Sequence, residues 1–373
     1  GHAARLAGGD AVVLIDKPQT ISRLLVQTSR QSGAAAVYLD ILNFAGDEIY
    51  MRQDDRLTGL TYLEAMLAYR KCAVIGLLHD GVDVELNPEP STVVAATDSV
   101  IALAEDDSVL DAAEHVPTAP DPEAIALRTA APASAEATLI LGYNHRTPLV
   151  VAELGEYAAP GSRVDLVADV PIDLTGIDLD PERLAVTQRR GRTTERRVLD
   201  GLGIPAYDRV IVMGYSDDLD PRRVSARTLV TLLHLHDIAE TSGARFAIVS
   251  EVIDVADTEL TTVAGVNDIV VSDAVLSLLL TQVSENRHLA DVFASLFQAD
   301  GPEVYMRPAD HYVTAGPVSF ATLIAAASRI RETAIGYRTA RAADPRVGVT
   351  LNPDKTAVFP IEPGDRLIVL AED

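Results

Sequence analysis

Cysteine is almost missing from this chain of 373 residues, where Cys72 stands alone. One thiol excludes a disulfide framework and any cysteine-rich metal site. Its place between a small-residue helix pattern and an aliphatic run reads as core filling. Basic residues are scarce: 31 Lys and Arg face 55 Asp and Glu, for a formal net charge of −24. Such a surface repels phosphate backbones and argues against nucleic acid as a partner. It suits a cation-attracting face or plain acidic solubility. No run of 18 apolar residues occurs, so no stretch reads as a transmembrane helix. No N-terminal signal pattern is present, and Gly1-His2 reads as a protease-cleavage scar. The expectation is a soluble part of something longer. Also missing are a Gly-x-Ser-x-Gly elbow, a Walker loop, a zinc spacing, an EF-hand loop and a paired-acid glycosidase signature. Nothing assembles a nucleophile with its base, so the chain does not read as an enzyme.

What is present is ordinary for a packed protein: 48% hydrophobic and 23% charged residues, on a length that suggests two or three domains. The strongest signal is a duplication. Glu48-Ile49-Tyr50-Met51-Arg52 returns 255 residues later as Glu303-Val304-Tyr305-Met306-Arg307. Leu86-Asn87-Pro88 returns 265 residues later as Leu351-Asn352-Pro353. Between them lies the same order of strand, small-residue helix, aliphatic strand and turn. A repeated unit of this length is a repeated fold, here a small α+β lobe. The offset grows by ten, which places an insertion most simply at residues 339–346. Upstream, residues 11–14 answer 268–271, and 22–30 and 37–42 answer 278–287 and 292–297. A last strand and two helices therefore precede each lobe.

Residues 117–137 are dense in Pro and Ala and read as a linker. After it, short aliphatic runs at 138–142, 163–168, 184–187, 209–213, 245–249 and 268–271 alternate with helical patterns. That rhythm predicts a Rossmann-like, doubly wound parallel sheet.

Candidate chemistry gathers at the carboxyl edge of this sheet. The first strand-to-helix turn keeps Gly142 of a dinucleotide fingerprint, but Asn144 and Thr147 stand where the next two glycines belong. Asp169, near the end of the second strand, is the candidate ribose-binding acid. The turn as a whole argues against NAD. Asp217, Asp218 and Asp220 follow the fourth strand, and three carboxylates in four residues suit a hard cation such as calcium. Asp220-Pro221 equally reads as a helix cap. Glu251, Asp254 and Asp257 form a second acidic group after the fifth strand. A basic run of Arg189, Arg190, Arg192, Arg196 and Arg197 reads as a solvated loop or a contact for acidic groups of a neighbouring subunit.

In order, a Rossmann lobe, a helix pair and a small α+β lobe resemble RCK domains, regulators of potassium conductance. Several words resemble more closely the soluble part of CASTOR/POLLUX-type ion channels: Ile140-Leu141-Gly142-Tyr143-Asn144, Ala159-Pro160-Gly161-Ser162, and Ser216-Asp217-Asp218 followed by residues 227–233. The resemblance implies the following division. Residues 1–46 carry the last strand and crossover helices of a first RCK unit, whose Rossmann lobe is truncated, and 47–116 its C-lobe. After the linker, 138–272 form the second Rossmann lobe, 273–300 its crossover helices and 301–373 its C-lobe. It also implies a homo-oligomer: dimers through the crossover helices, and a tetrameric gating ring on the cytoplasmic side beneath an upstream transmembrane pore. Calcium is the ion the resemblance associates with such a ring. Gly46 and Gly301, after each helix pair, are the expected hinges. Two other readings compete: a free-standing TrkA-like subunit of a cation transporter, and a nucleotide-dependent oxidoreductase.

Overall fold

The computed structural model describes residues 16–43, 46–106, 108–111, 119–128, 134–215, 220–252, 268–297, 301–314, 316–341 and 348–372. The strand expected at residues 11–15 lies outside them. Two helices, Lys17–Arg30 and Ala34–Leu42, open the described chain. Asp16 caps the first, accepting from the Gln19 N–H at 3.2 Å. A lobe follows: β1 (Glu48–Arg52), the helix Tyr62–Ala68, β2 (Ala73–His79), β3 (Asp83–Leu86) and β4 (Ser99–Ala104). Next come six strands: β5 (Ala137–Leu141), β6 (Ser162–Ala168), β7 (Leu184–Arg190), β8 (Arg209–Val212), β9 (Ala247–Val252) and β10 (Asp268–Val271). The helices Ser272–Glu285 and Leu289–Leu296 lead to a second lobe. It holds β11 (Glu303–Pro308), β12 (Val318–Ser319), the helix Phe320–Ser328, β13 (Thr333–Arg338), β14 (Val349–Leu351), β15 (Val358–Phe359) and β16 (Arg366–Ala371).

These elements gather into two compact units, one drawn from residues 14–35 and 132–278, the other chiefly from 36–131 and 279–373. The first unit is the doubly wound domain. Its six strands lie in the order β10-β9-β8-β5-β6-β7, every pair parallel. Leu139, Ile140, Leu141, Val210 and Ile211 are wholly buried, as strands covered on both faces must be. Leu232, Leu235 and Ile238 of the long helix Pro221–Ser242 close part of that core. The helix Lys17–Arg30, grouped by sequence with the first repeat, packs on β8, β9, β10 and the helix Thr147–Tyr157 of this domain. Ile21, Leu24, Leu25 and Val26 are buried there. Arg30 lies 4.1 Å above the Tyr157 ring, and Arg23 reaches Glu153 at 3.5 Å. The Asp268 carboxylate accepts from the Gly33 and Ala35 N–H groups at 2.7 and 3.0 Å.

The second unit contains both lobes, and they share one architecture. Their four-stranded sheets run β1-β4-β2-β3 and β11-β16-β13-β14, antiparallel throughout. Both carry a bulge just before an equivalent glycine, Gly76 or Gly336. A Cβ there would lie 2.4 Å from Glu85 O or 2.7 Å from Thr350 O, so neither position accepts a side chain. These glycines are 260 residues apart, which corrects the single insertion expected at 339–346. Half of the extra ten residues enter before Gly336 and half between it and Asn352. Part of the early half is the helix itself, nine residues long in the second lobe and seven in the first.

Leu-Asn-Pro turns out to be a contact between the lobes. Asn87 and Asn352 both sit in the left-handed region, at φ 51° and 45°. The Asn87 amide donates to Arg331 O and the Asn352 amide to Lys71 O, each at 2.9 Å. Arg331 and Lys71 occupy equivalent turns, so the two bonds are reciprocal. Between them lies a shared core that includes Tyr62, Met66, Phe320, Leu323 and Ile324. Burying one such side chain contributes about 1.5–3 kcal/mol, against about 1 kcal/mol net for one hydrogen bond. The core holds the lobes together, and the asparagines set their register.

Within the expected linker, Ala126 N–H donates to Tyr312 O at 3.0 Å and Arg128 N–H to His311 O at 2.8 Å. That stretch lies along the second lobe. Gly46 and Gly301 each crowd the preceding helix: a Cβ would meet Asp40 Oδ1 at 2.8 Å or Ser295 O at 2.6 Å.

Candidate functional site

Doubly wound sheets take ligands outside the carboxyl ends of their strands, so the turn after β5 is the first place to look. Gly142 has φ +99°, and a Cβ on it would lie 2.3 Å from Met213 O. The neighbouring strand end demands this glycine whether or not a nucleotide binds. Asn144 is fully buried. Its Nδ2 donates to Gly214 O at 2.8 Å and to Glu251 Oε2 at 2.9 Å, and its Oδ1 accepts from the Arg146 N–H at 2.9 Å. The residue standing where a fingerprint needs glycine therefore ties the turn to the ends of β8 and β9.

Arg146 and Glu251 complete the network. They form an ion pair with exposures of 6% and 1%. Ser272 Oγ donates to Glu251 Oε1 at 3.0 Å. The Glu251 carboxylate thus has three donors, two from the turn after β5 and one from the end of β10. A guanidinium already neutralises it, which is at odds with the metal-ligand role expected from sequence. A cation there would have to displace a buried arginine.

Asp169, the expected ribose acid, is taken up by two guanidinium groups, Arg227 at 2.8 Å and Arg192 at 3.7 Å. Arg227 also stacks 3.9 Å over the Tyr215 ring. Gly142, Asn144 and Asp169 therefore offer a dinucleotide neither an open turn nor a free carboxylate. Asp220 is the N-cap of the helix Pro221–Ser242, accepting from the Arg223 N–H at 3.2 Å. Asp217, Asp218 and Asp254, with Asp257, lie outside the described residues. Among the described residues, no group of three or more His, Cys, Asp or Glu is arranged to hold a metal ion. Much of the basic run is engaged within the domain: Arg196 on Asp200 at 2.7 Å and on Asp237, Arg197 on Glu195 at 2.9 Å, Arg189 on Gly201 O at 3.3 Å.

Sequence reasoning missed the burial of Arg146, because its partner lies 105 residues away. It also missed the contact role of Asn87 and Asn352. There the signal existed, since a three-residue word repeated across the two copies marks a shared constraint.

A chain that holds one six-stranded parallel domain and twin antiparallel lobes has a counterpart in fold among solved structures. The human SLO3 gating ring matches it with a TM-score of 0.70 at 12% identity, covering 99% of this chain and 78% of that one. At that identity the likeness concerns the fold alone. Residues 18–120 match the family described as Castor and Pollux, part of voltage-gated ion channel. The chain is 28% identical over 384 residues to the ion channel CASTOR of Lotus japonicus, covering 91% of this chain and 44% of that protein. It is 24% identical over 415 residues to the ion channel POLLUX of the same plant, covering 98% and 44%. The chain is thus similar to CASTOR and POLLUX ion channels along most of its length, and it spans under half the length of these relatives.

Proposed function

We propose that this chain is the ligand-sensing gating-ring region of an ion channel, lying on the cytoplasmic side of a membrane and coupling ligand occupancy to pore opening. The observation that carries the reading is the pair of equivalent lobes closed on one core through reciprocal asparagines, in a chain similar to ion channels over nine-tenths of its length. A ligand moves a pore only through different affinity for two shapes of the ring, a coupling of about 1–3 kcal/mol in typical cases. Twin lobes of one architecture give the ring a repeated element through which such a difference is summed. Relatives that are themselves ion channels favour this over a free-standing transporter subunit or an oxidoreductase. Among the described residues no helix is long and apolar enough to cross a membrane.

The division into first C-lobe (47–116), linker (117–137), second Rossmann lobe (138–272) and second C-lobe (301–373) is part of the proposal. So is assembly into dimers through the crossover helices and into a tetrameric gating ring. Calcium is the ligand to try first. Asp217, Asp218 and Asp254 are its candidate carboxylates, because Glu251 and Asp220 already serve Arg146 and a helix N-terminus.

The test is single-channel recording of the parent channel in bilayers, with calcium titrated on the side that faces this region. Calcium should change the open probability. Asn87→Ala with Asn352→Ala should shift that dependence and leave the unitary conductance unchanged. Identical gating curves for the two channels would remove the reading.

A further inference from the structure

The reciprocal asparagines conceal an asymmetry between the lobes. After the helix Tyr62–Ala68, the C-cap Tyr69 turns extended, at φ −96° and ψ 134°, and the chain leaves the helix abruptly. Four successive carbonyls follow, and the second lobe satisfies all of them from residues 352–355. Lys355 Nζ donates to Tyr69 O and, at 2.5 Å, to Cys72 O. The Lys355 N–H donates to Arg70 O at 3.0 Å, and the Asn352 amide to Lys71 O. Lys355 is 1% exposed. Its ammonium closes the end of a helix, where the backbone carbonyls favour positive charge. Arg70 returns the contact with an ion pair to Asp354 at 2.8 Å.

The opposite half of the clasp is poorer. Pro90 holds the position equivalent to Lys355, with neither a side-chain donor nor an N–H to offer. The receiving turn differs as well. After the helix Phe320–Ser328, Arg329 stays helical at φ −66° and ψ −18°. The turn at 329–332 then consumes the carbonyls of Ala326, Ala327 and Ser328 with its own N–H groups. Where Cys72 stands in the first lobe, the second has Glu332, already bonded to Tyr312 and to Arg307 at 2.8 Å.

We propose that Lys355, with Asn352, makes lobe pairing directional: residues 352–355 of a second lobe recognise the open helix end at 69–72 of a first lobe and not its counterpart at 329–332. Two second lobes facing each other would bury an ammonium against a turn that continues the helix at Arg329, where the first lobe turns extended at Tyr69 to lay out its row of carbonyls. Two first lobes would face those carbonyls with proline. Either mispairing strands buried polar groups, which costs more than the native bonds contribute. A ring built from many copies of one chain needs such a rule, because two lobes of one architecture otherwise have three ways to pair. Lys355 is a specificity-determining residue of this interface.

The sole cysteine reports on the clasp, since Cys72 is fully buried beneath it. The experiment measures alkylation of Cys72 by N-ethylmaleimide in the full chain under native conditions, alongside peptide-resolved hydrogen exchange. Lys355→Met should raise the labelling rate at least about tenfold through local opening, with β2 and β16 still protected. Glu89→Ala, which breaks the 2.7 Å ion pair to Arg331 on the weaker half, should leave the rate unchanged. Cross-linking of mixed isotope-labelled chains should find only second-to-first contacts in the native chain, and added second-to-second contacts in Lys355→Met. Should that variant fail to fold, Lys355→Arg keeps the charge with the wrong shape and should give the same pattern more weakly. Unchanged labelling, labelling that rises only in step with exchange across β2 and β16, or native-only cross-links in the variant would each overturn the assignment.

Discussion

Removing Arg146 alone should damage the doubly wound domain far more than removing both members of its ion pair. In Arg146→Met, the Glu251 carboxylate stays at 1% exposure with only the Asn144 amide and the Ser272 hydroxyl to stabilise its charge. Breaking a buried pair from one side costs about 3–5 kcal/mol. For a domain of this size that is a fall of roughly 6–20 °C in melting temperature, at about 2–4 °C per kcal/mol. Arg146→Met with Glu251→Met removes both charges and keeps the volume filled, so most of the loss should return. The assay is thermal unfolding by far-UV circular dichroism, since the chain has no tryptophan to report by fluorescence. Hydrogen exchange of β5 and β8 would confirm which domain is hit. A single-variant loss below about 1 kcal/mol, or a double variant as poor as the sum of the singles, would refute the idea that each charge is there for the other.

Burial lowers the Lys355 ammonium to a pKa of about 8. From there to about pH 9 the unfolded chain binds more protons at this site, so stability of the two-lobe unit should rise with pH by on the order of 1 kcal/mol per pH unit; above about pH 9 the buried Cys72 thiol, pushed up to about 12, stays protonated in the folded state and offsets that slope. Above about pH 10 the slope should reverse, as burial holds the Tyr62 phenol well above its ordinary range; Lys355→Met should lack the rise in urea titrations at pH 8 and 9. Gly142→Ala, strained by its φ and by Met213 O, should cost about 2–4 kcal/mol, read as a shift in urea midpoint. Asp220→Ala should lose about 1 kcal/mol of cap energy and leave calcium affinity by calorimetry unchanged.

Much of the fold was legible because the repeat is explicit. Aliphatic runs such as 209–213 and 268–271 marked strands of the parallel sheet, and the matched words around Tyr50 and Tyr305 marked twin lobes. What stayed hidden is what depends on distant partners. Arg146 reads as a solvated turn residue until Glu251 is placed beside it. The apolar face of the helix Lys17–Arg30 declares that it packs, but not which sheet receives it. Lys355 and Pro90 look like ordinary loop residues, and only the register between the lobes shows one gripping a helix end and the other unable to. The single ten-residue insertion failed for a related reason, since offsets between motifs report a total and not where it accrues.

Synthesis on the ribosome exposes the helix Lys17–Arg30 long before its seat exists. The carboxylate that fastens the turn behind it, Asp268, is made 235 residues after Gly33. At roughly 5–20 residues per second that is an interval on the order of 10–50 seconds. Throughout it Ile21, Leu24, Leu25 and Val26 have no complete β8–β10 surface to lie on. A nascent chain in this state is a natural client for a holdase, and any transcript truncated before β10 leaves the segment stranded for good.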